Sequence, residues 1–155
     1  MGKIMALLTP PSHTHRTAEE NLGLGYIASI LRNAGYRVHI VDAWIEGISI
    51  QKLIERLLLI GKINFIGISC YRSSLDEVKK IVLEIRSKIG KMPIIAGGFG
   101  PTFYPEDFLD IGVDIAVIGE GEYIIINLLK VLEEGYSPES IPGVSWKEGK
   151  KVRFV

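Results

Sequence analysis

The sequence predicts an α/β fold in which helices cover both faces of a parallel β-sheet. Short runs of β-branched and other apolar residues alternate with longer segments whose apolar residues recur at helical spacing. Glycine ends most of these segments, and parallel strands require such helical crossovers between them. With 155 residues, the chain is long enough for one domain with a full core.

Five short apolar runs are the predicted strands. Thr9-Pro10-Pro11 ends the first run, and the third and fourth are bounded by turn residues. The predicted strands span residues 4–8, 37–41, 65–69, 94–96 and 115–118. Right-handed crossovers between them favour a doubly wound, five-stranded sheet of order 2-1-3-4-5, which is the flavodoxin-like arrangement.

The helices are predicted from apolar stripes and from residues suited to their ends. Ser49 is a good N-cap residue, and Ser74 begins the clearest amphipathic segment. Gly35, Gly61 and Gly90 follow the last apolar positions of three stripes. The predicted helices span residues 21–33, 50–60, 74–89, 105–110 and 122–134.

The C-terminal segment departs from this alternation. Val144–Trp146 and Val152–Phe154 flank a polar stretch that contains Gly149, a pattern typical of a β-hairpin. A lone hairpin is marginally stable, so we expect it to cover the sheet edge or to lead into a further domain. Pro142 marks the boundary, which divides the chain into an α/β domain at 1–142 and a hairpin or linker at 143–155.

Composition excludes several classes of function. Lysine plus arginine number 18 and aspartate plus glutamate 18, so no basic field favours nucleic acid or an anionic membrane. No apolar run is long enough to span a bilayer. The single cysteine, Cys70, excludes an internal disulfide and any multi-cysteine metal or iron–sulfur site. We expect a cytoplasmic protein.

Two glycine turns follow the fourth and fifth predicted strands. Residues 93–101 read PIIAGGFGP, and residues 115–122 read IAVIGEGE. A buried strand that feeds a glycine turn lets a ligand approach the backbone, and ligands of doubly wound sheets bind at the carboxyl ends of the strands. The two turns therefore predict a cofactor site at that edge.

An ordered set of motifs resembles a known family. The segments are NLGLGYIASILRNAGY at 21–36, VHIVDA at 38–43, IGISC at 66–70, GGFGPTF at 97–103, GEGE at 119–122 and IPGVSW at 141–146. Together they resemble the cobalamin-binding domain found at the N-terminus of many radical SAM enzymes. The resemblance covers nearly the whole chain, including the hairpin that in such enzymes leads into the radical SAM barrel.

The resemblance implies that cobalamin lies on the carboxyl edge of the sheet, with its nucleotide tail beside the strands. Gly97 and Gly98 would make room for the tail, Ser69 would hydrogen-bond it, and Tyr71, Phe99 and Phe103 would pack on the corrin or the base. The expected cofactor-binding residues are Pro11, Ser12, His13, Ser69, Cys70, Tyr71, Gly97, Gly98, Phe99, Gly100, Thr102, Phe103, Gly119, Glu120 and Gly121.

The resemblance also implies how cobalt is held. Classical cobalamin mutases and methyltransferases carry Asp-x-His-x-x-Gly after the first strand, whereas residues 9–17 here read TPPSHTHRT. We therefore expect base-off cobalamin with no histidine ligand and no protein metal site. The family's iron–sulfur cluster and S-adenosylmethionine would belong to a radical SAM domain outside this chain, in cis or in trans. This chain would bind the cofactor for methyl transfer or cyclisation without catalysing either alone.

Three alternatives stay open. His13 and His15 are spaced so that both can face one metal ion or a phosphate. Gly23-x-Gly25-x-x-Ala28 matches the dinucleotide fingerprint, which would indicate an NAD(P)-dependent oxidoreductase, although it lies well beyond the first strand. An interaction module that kept the fold and lost its ligand would have Tyr71, Phe99 or Phe103 blocking the sheet edge.

Overall fold

The structure, a computed structural model, describes residues 2–12 and 22–155. Its centre is a seven-stranded sheet of order β2-β1-β3-β4-β5-β6-β7. The strands are β1 (Ile4–Thr9), β2 (Arg37–Asp42), β3 (Phe65–Ser69), β4 (Ile94–Gly97), β5 (Ile115–Val117), β6 (Val144–Glu148) and β7 (Lys151–Phe154). The first five are parallel, and their order is the predicted 2-1-3-4-5.

Seven α-helices connect and flank these strands in the described part of the chain. They are α1 (Leu22–Asn33), α2 (Ala43–Glu46), α3 (Ile50–Ile60), α4 (Leu75–Lys88), α5 (Phe99–Phe103), α6 (Pro105–Asp110) and α7 (Ile125–Glu133). Short 3₁₀ turns at Arg72–Ser74 and Gly121–Tyr123 precede α4 and α7. The Ser49 side chain accepts the Lys52 N–H at 3.1 Å, as expected of an N-cap.

The sheet separates two apolar cores. On one face, residues of β1, β3 and β4 such as Leu8, Ile66 and Ala96 pack with α3, α4 and α6. On the other face, the alternate residues of the same strands pack with α1 and α7. Both faces of the parallel strands are therefore covered, which explains their nearly continuous apolar sequences.

The prediction of a five-stranded sheet needs one correction, because the C-terminal hairpin extends the sheet. β6 pairs antiparallel with β5, and β7 pairs antiparallel with β6. Val144, Ser145 and Trp146 are buried, so the hairpin shares the core of the domain. This contact supplies the packing that a lone hairpin lacks.

Two short helices were not predicted. α2 follows β2 directly, and Asp42 caps it by accepting the Ile45 N–H at 3.1 Å. α5 follows Gly98, within the loop expected at the end of β4. Helices of one turn are too short to display a periodic apolar stripe, so periodicity alone misses them. None of the described helices is long and apolar enough to cross a membrane.

Candidate functional site

A narrow slot opens at the carboxyl ends of the parallel strands. Its volume is about 210 Å³, and it lies between the sheet and the helices α1 and α7. The lining residues come from both sides of the slot: Met5, Leu7, Gly23, Leu24, Ile27, Gly67, Ile68, Ser69, Ile95, Gly97, Gly98, Val117, Gly119, Glu120, Gly121, Glu122 and Ile125. Nearly all of the deep lining is hydrocarbon, whereas the carboxylates belong to the turn after β5.

Two strand glycines line the slot. Leu7, Gly67 and Ile95 lie side by side across β1, β3 and β4, and neighbouring side chains occupy the place that a side chain at Gly67 would take. A Cβ at Gly67 would lie 2.8 Å from both Met5 Cε and Leu7 Cδ2. A Cβ at Gly97 would instead enter open space, with Val117 Cβ at 4.0 Å as its nearest neighbour.

Gly98 and Gly119 take part in different contacts at the mouth of the slot. Gly98 has φ +99°, and a Cβ there would lie 3.1 Å from the Cys70 carbonyl oxygen, so the turn requires glycine. The Thr102 hydroxyl accepts the Gly119 N–H at 3.1 Å. This bond ties the turn after β4 to the turn after β5, and so fixes two sides of the mouth.

A row of aromatic rings crosses the same edge of the domain. Tyr71 and Phe99 have centroids 5.8 Å apart and nearly parallel planes, and Phe99 and Phe103 follow at 6.5 Å. Phe99 is 65% exposed and Phe103 68% exposed, an unusual state for large apolar side chains. Phe99 directly follows Gly98, which lines the slot, so the row adjoins the mouth of the slot.

Trp44 is a member of this row that the sequence analysis missed. Its ring makes an edge-to-face contact with Tyr71 at 5.9 Å. Thr9 and Asp42 hold its backbone, since Thr9 Oγ1 accepts the Trp44 N–H at 3.2 Å and donates to Asp42 Oδ1 at 2.6 Å. The only signal in the sequence is a tryptophan two residues after a strand whose end lies on the ligand-binding edge.

Most of the predicted residues gather around the slot and the row. Ser69, Gly97, Gly98, Gly119, Glu120 and Gly121 line the slot, and Tyr71, Phe99 and Phe103 form the row. Thr102 braces the mouth. Pro11 is buried and Ser12 half-buried, and neither lines the slot; His13 and His15 lie outside the described residues.

Cys70 and Gly100 do not line the slot. The Cys70 side chain belongs to the core on the opposite face of the sheet from the slot, and burial raises the pKa of its thiol. Its carbonyl accepts the Gly100 N–H at 3.0 Å. A Cβ at Gly100 would lie 2.8 Å from the Tyr71 carbonyl carbon, so glycine lets α5 approach the turn after β3.

The structure bears on two of the alternatives. Gly23 and Gly25 lie in the first turn of α1, and not in a tight turn directly after β1, where the dinucleotide fingerprint requires its first glycine. The aromatic side chains stand beside the slot without filling it. Among residues 2–12 and 22–155, no group of three metal-ligating side chains could hold an ion.

Comparison with known families identifies the class of domain to which this chain belongs. The B12 binding domain family matches residues 14–129, which is more than half of the chain. The chain belongs to the B12-binding domain family. The slot and the row lie at the carboxyl edge of the sheet in this B12-binding domain.

Individual relatives agree with this assignment. The anaerobic magnesium-protoporphyrin IX monomethyl ester cyclase of Synechocystis is 27% identical over 84% of this chain. An uncharacterized methyltransferase of Pyrococcus horikoshii is 30% identical over 97% of it. The radical S-adenosylmethionine methyltransferase TsrM from Kitasatospora setae, solved with cobalamin and a [4Fe-4S] cluster bound, shares the fold with a TM-score of 0.84 at 20% identity over 98% of the chain.

This B12-binding domain is much shorter than those proteins. It spans 27% of the cyclase, 34% of the uncharacterized methyltransferase and 28% of TsrM. It is homologous to the B12-binding regions of radical SAM methyltransferases and cyclases.

Proposed function

We propose that this domain binds cobalamin, with the corrin over the carboxyl ends of the strands and the nucleotide tail in the slot. The observation that carries the proposal is the slot between the sheet and the helices α1 and α7, into which Gly97 projects no side chain. In a sheet whose remaining side chains pack against helices on both faces, such a gap is costly unless a ligand fills it.

The dimensions of the slot suit the tail. An apolar cavity of about 150 Å³ is known to admit benzene. The slot here is larger, at about 210 Å³, and open at one end, so it can receive a flat two-ring base that remains attached to a larger group outside. The pleat places Gly67 about 7 Å deeper than Ser69, which gives the slot the depth of such a base.

The residues at the mouth would hold the polar part of the tail and the ring. The Ser69 side chain lies on the slot face of β3 and offers a hydroxyl. The backbone of Gly97, Gly98 and Gly119 can be approached closely because no side chain intervenes. The row Trp44–Tyr71–Phe99–Phe103, in which all but Trp44 are exposed, would provide apolar surface for the corrin or for the side chains around it.

We propose the base-off form without a histidine ligand. The segment 9–17 lacks Asp-x-His-x-x-Gly, and the described residues bring no imidazole to the slot. The Cys70 thiol is also unsuited as a ligand, because it faces the other core and burial disfavours its thiolate.

Bound cobalamin supplies a cobalt centre that can carry a methyl group or take part in ring-forming chemistry. This domain would position that centre and shield one side of it, while a radical SAM domain, in cis or in trans, would supply the iron–sulfur cluster and S-adenosylmethionine. One cysteine cannot hold a cluster that needs three thiolates, so the domain alone would bind without catalysing.

The experiment is to mix the purified chain with hydroxocobalamin, separate free corrinoid by gel filtration and record the visible spectrum of the protein peak. We expect retained corrinoid with a base-off spectrum that is unchanged in the His13→Ala and His15→Ala variants. A folded chain, verified by circular dichroism, that elutes without corrinoid would refute binding. A spectrum altered by either substitution would refute the absence of a histidine ligand.

A further inference from the structure

Among the described residues, the deep half of the slot offers a bound base almost no hydrogen-bonding partner. The side chains of Met5, Leu7, Ile95 and Val117 line it with hydrocarbon and one thioether, and each of these residues is at most 4% exposed. The backbone there is paired within the sheet, as the parallel register of β1, β3 and β4 shows. Polar lining from the described residues is confined to the mouth, at Ser69 and the turn after β5.

The helical wall has the same character. Leu24 and Ile27 of α1 and Ile125 of α7 face the slot, and all three have aliphatic side chains. A ligand group that reaches past Ser69 therefore meets apolar surface on every side that the described residues form. Such a pocket binds a hydrocarbon surface well and penalises each polar atom that it leaves unpaired.

The bases of corrinoid tails differ in the number of polar atoms that need a hydrogen-bonding partner. In cobalamin the base is dimethylbenzimidazole, whose six-membered ring carries only C–H groups and two methyl groups. In corrinoids with an adenine base, the corresponding ring carries an amino group and two nitrogen acceptors. The shapes are similar, so the difference between them is mainly the hydrogen bonds that burial would remove.

Resting on the proposed function, we infer that this slot selects the base of the corrinoid: it accepts tails with a benzimidazole base and discriminates against tails with a purine base. Each unpaired polar atom costs roughly one factor of ten in affinity. The adenine-containing corrinoid should therefore bind at least about tenfold more weakly than cobalamin, despite its identical ring and cobalt.

Equilibrium dialysis with three aquated corrinoids tests this inference. The probes are cobalamin, the adenine-containing corrinoid and cobinamide, which has no nucleotide. We expect cobalamin to bind most tightly and the other two to bind similarly and more weakly. Equal affinities for cobalamin and the adenine form overturn the selectivity, and equal affinities for cobalamin and cobinamide show that the tail does not use the slot. Binding of none of the three by folded protein overturns the proposed function together with this inference.

A pair of matched variants tests whether the apolar lining of the slot causes the selectivity between the two bases. Val117→Thr replaces a buried methyl of the slot with a hydroxyl, whereas Val82→Thr makes the same change in the core on the opposite face of the sheet. We expect Val117→Thr to bring the affinities for cobalamin and for the adenine-containing corrinoid closer together. Val82→Thr should leave the ratio of these two affinities unchanged. Ile27→Gln, on a half-buried position of α1, is the second test if Val117→Thr does not fold. A ratio that neither slot variant moves contradicts selection by the lining.

Discussion

Single residues decide what the carboxyl edge can bind, and glycines matter most there. Gly97 leaves out a side chain that would project into the slot, whereas the Met5 and Leu7 side chains already fill the place beside Gly67. Gly98 and Gly100 have a different task, because their missing Cβ atoms allow the turn after β4 to pack against the turn after β3. Substitution at Gly97 should therefore remove ligand space, whereas substitution at Gly98 or Gly100 should disturb the local backbone arrangement.

The Cys70 thiol yields a prediction about stability at alkaline pH. Burial raises its pKa in the folded state, so the folded protein keeps the proton that the unfolded chain loses near pH 8.5. The contribution of this buried thiol to the free energy of unfolding is fully present below that pH. Above it, the contribution declines by up to about 1.4 kcal/mol per pH unit. Urea unfolding between pH 7.5 and 9.5 should show a shallower decline for Cys70→Ala than for the wild type. Identical slopes would contradict an inaccessible thiol.

Which residues of the site the sequence reveals depends on whether they stand in loops. The glycine turns at 97–98 and 119–121 are visible because glycine clusters after an apolar run are rare in strands. Gly67 has a weaker signal, a lone glycine inside a buried strand, and its meaning emerges only when the register places it between Leu7 and Ile95. Cys70 adjoins Ser69 in sequence but faces the opposite core, because consecutive strand residues point to opposite faces.

Among the helices and strands, the hairpin β6–β7 differs most from its sequence-based prediction. Its alternating pattern predicted two strands correctly, but strand pairing partners are not encoded in a local pattern. The structure joins it to β5, with Trp146 opposite Ile115. The division into domains at residue 142 stays a prediction, and a hairpin in the main sheet is compatible with a chain that continues beyond it.

Trp146 yields a prediction about this hairpin. The side chain is 7% exposed, and within the described residues its Nε1–H has no hydrogen-bond partner. Trp146→Phe removes an unpaired donor together with some apolar area, so we expect the free energy of unfolding to change by about 1 kcal/mol or less. Trp146→Ala should cost about 3–5 kcal/mol because it leaves a cavity beside β5. Urea denaturation measures both, and equal costs would show that the donor is paired.

Helices of three or more turns were predicted within a few residues, while α2 and α5 were not. Both of these short helices support the aromatic row: α2 contains Trp44, and α5 contains Phe99 and Phe103. The sequence analysis found the aromatic residues of α5 through the family resemblance and missed Trp44, which precedes no glycine motif. Sequence periodicity predicts the long helices well and the short helices α2 and α5 poorly, because these are too short to show a repeat.

For the domain as a whole, the fold is arranged around a ligand-sized gap in one of its two cores. Five parallel strands bring the turns after β1, β3, β4 and β5 to one edge. Among the described residues, the slot lies beside the core beneath α1 and α7, and not beneath α3, α4 and α6. The asymmetry gives a cofactor one defined side on which to insert.

The affinity for hydroxocobalamin of the wild type and of two matched glycine variants, measured by equilibrium dialysis, tests the proposed tail site most directly. Gly97→Val projects into the slot, and Gly25→Val projects from α1 where none of the described residues lies within 4 Å; neither glycine has a left-handed φ. We expect the wild type and Gly25→Val to bind alike, and Gly97→Val to bind on the order of tenfold more weakly, since overpacking costs about 1–3 kcal/mol. Equal binding by all three folded proteins would contradict a tail in the slot, and binding by none would contradict cobalamin as the ligand.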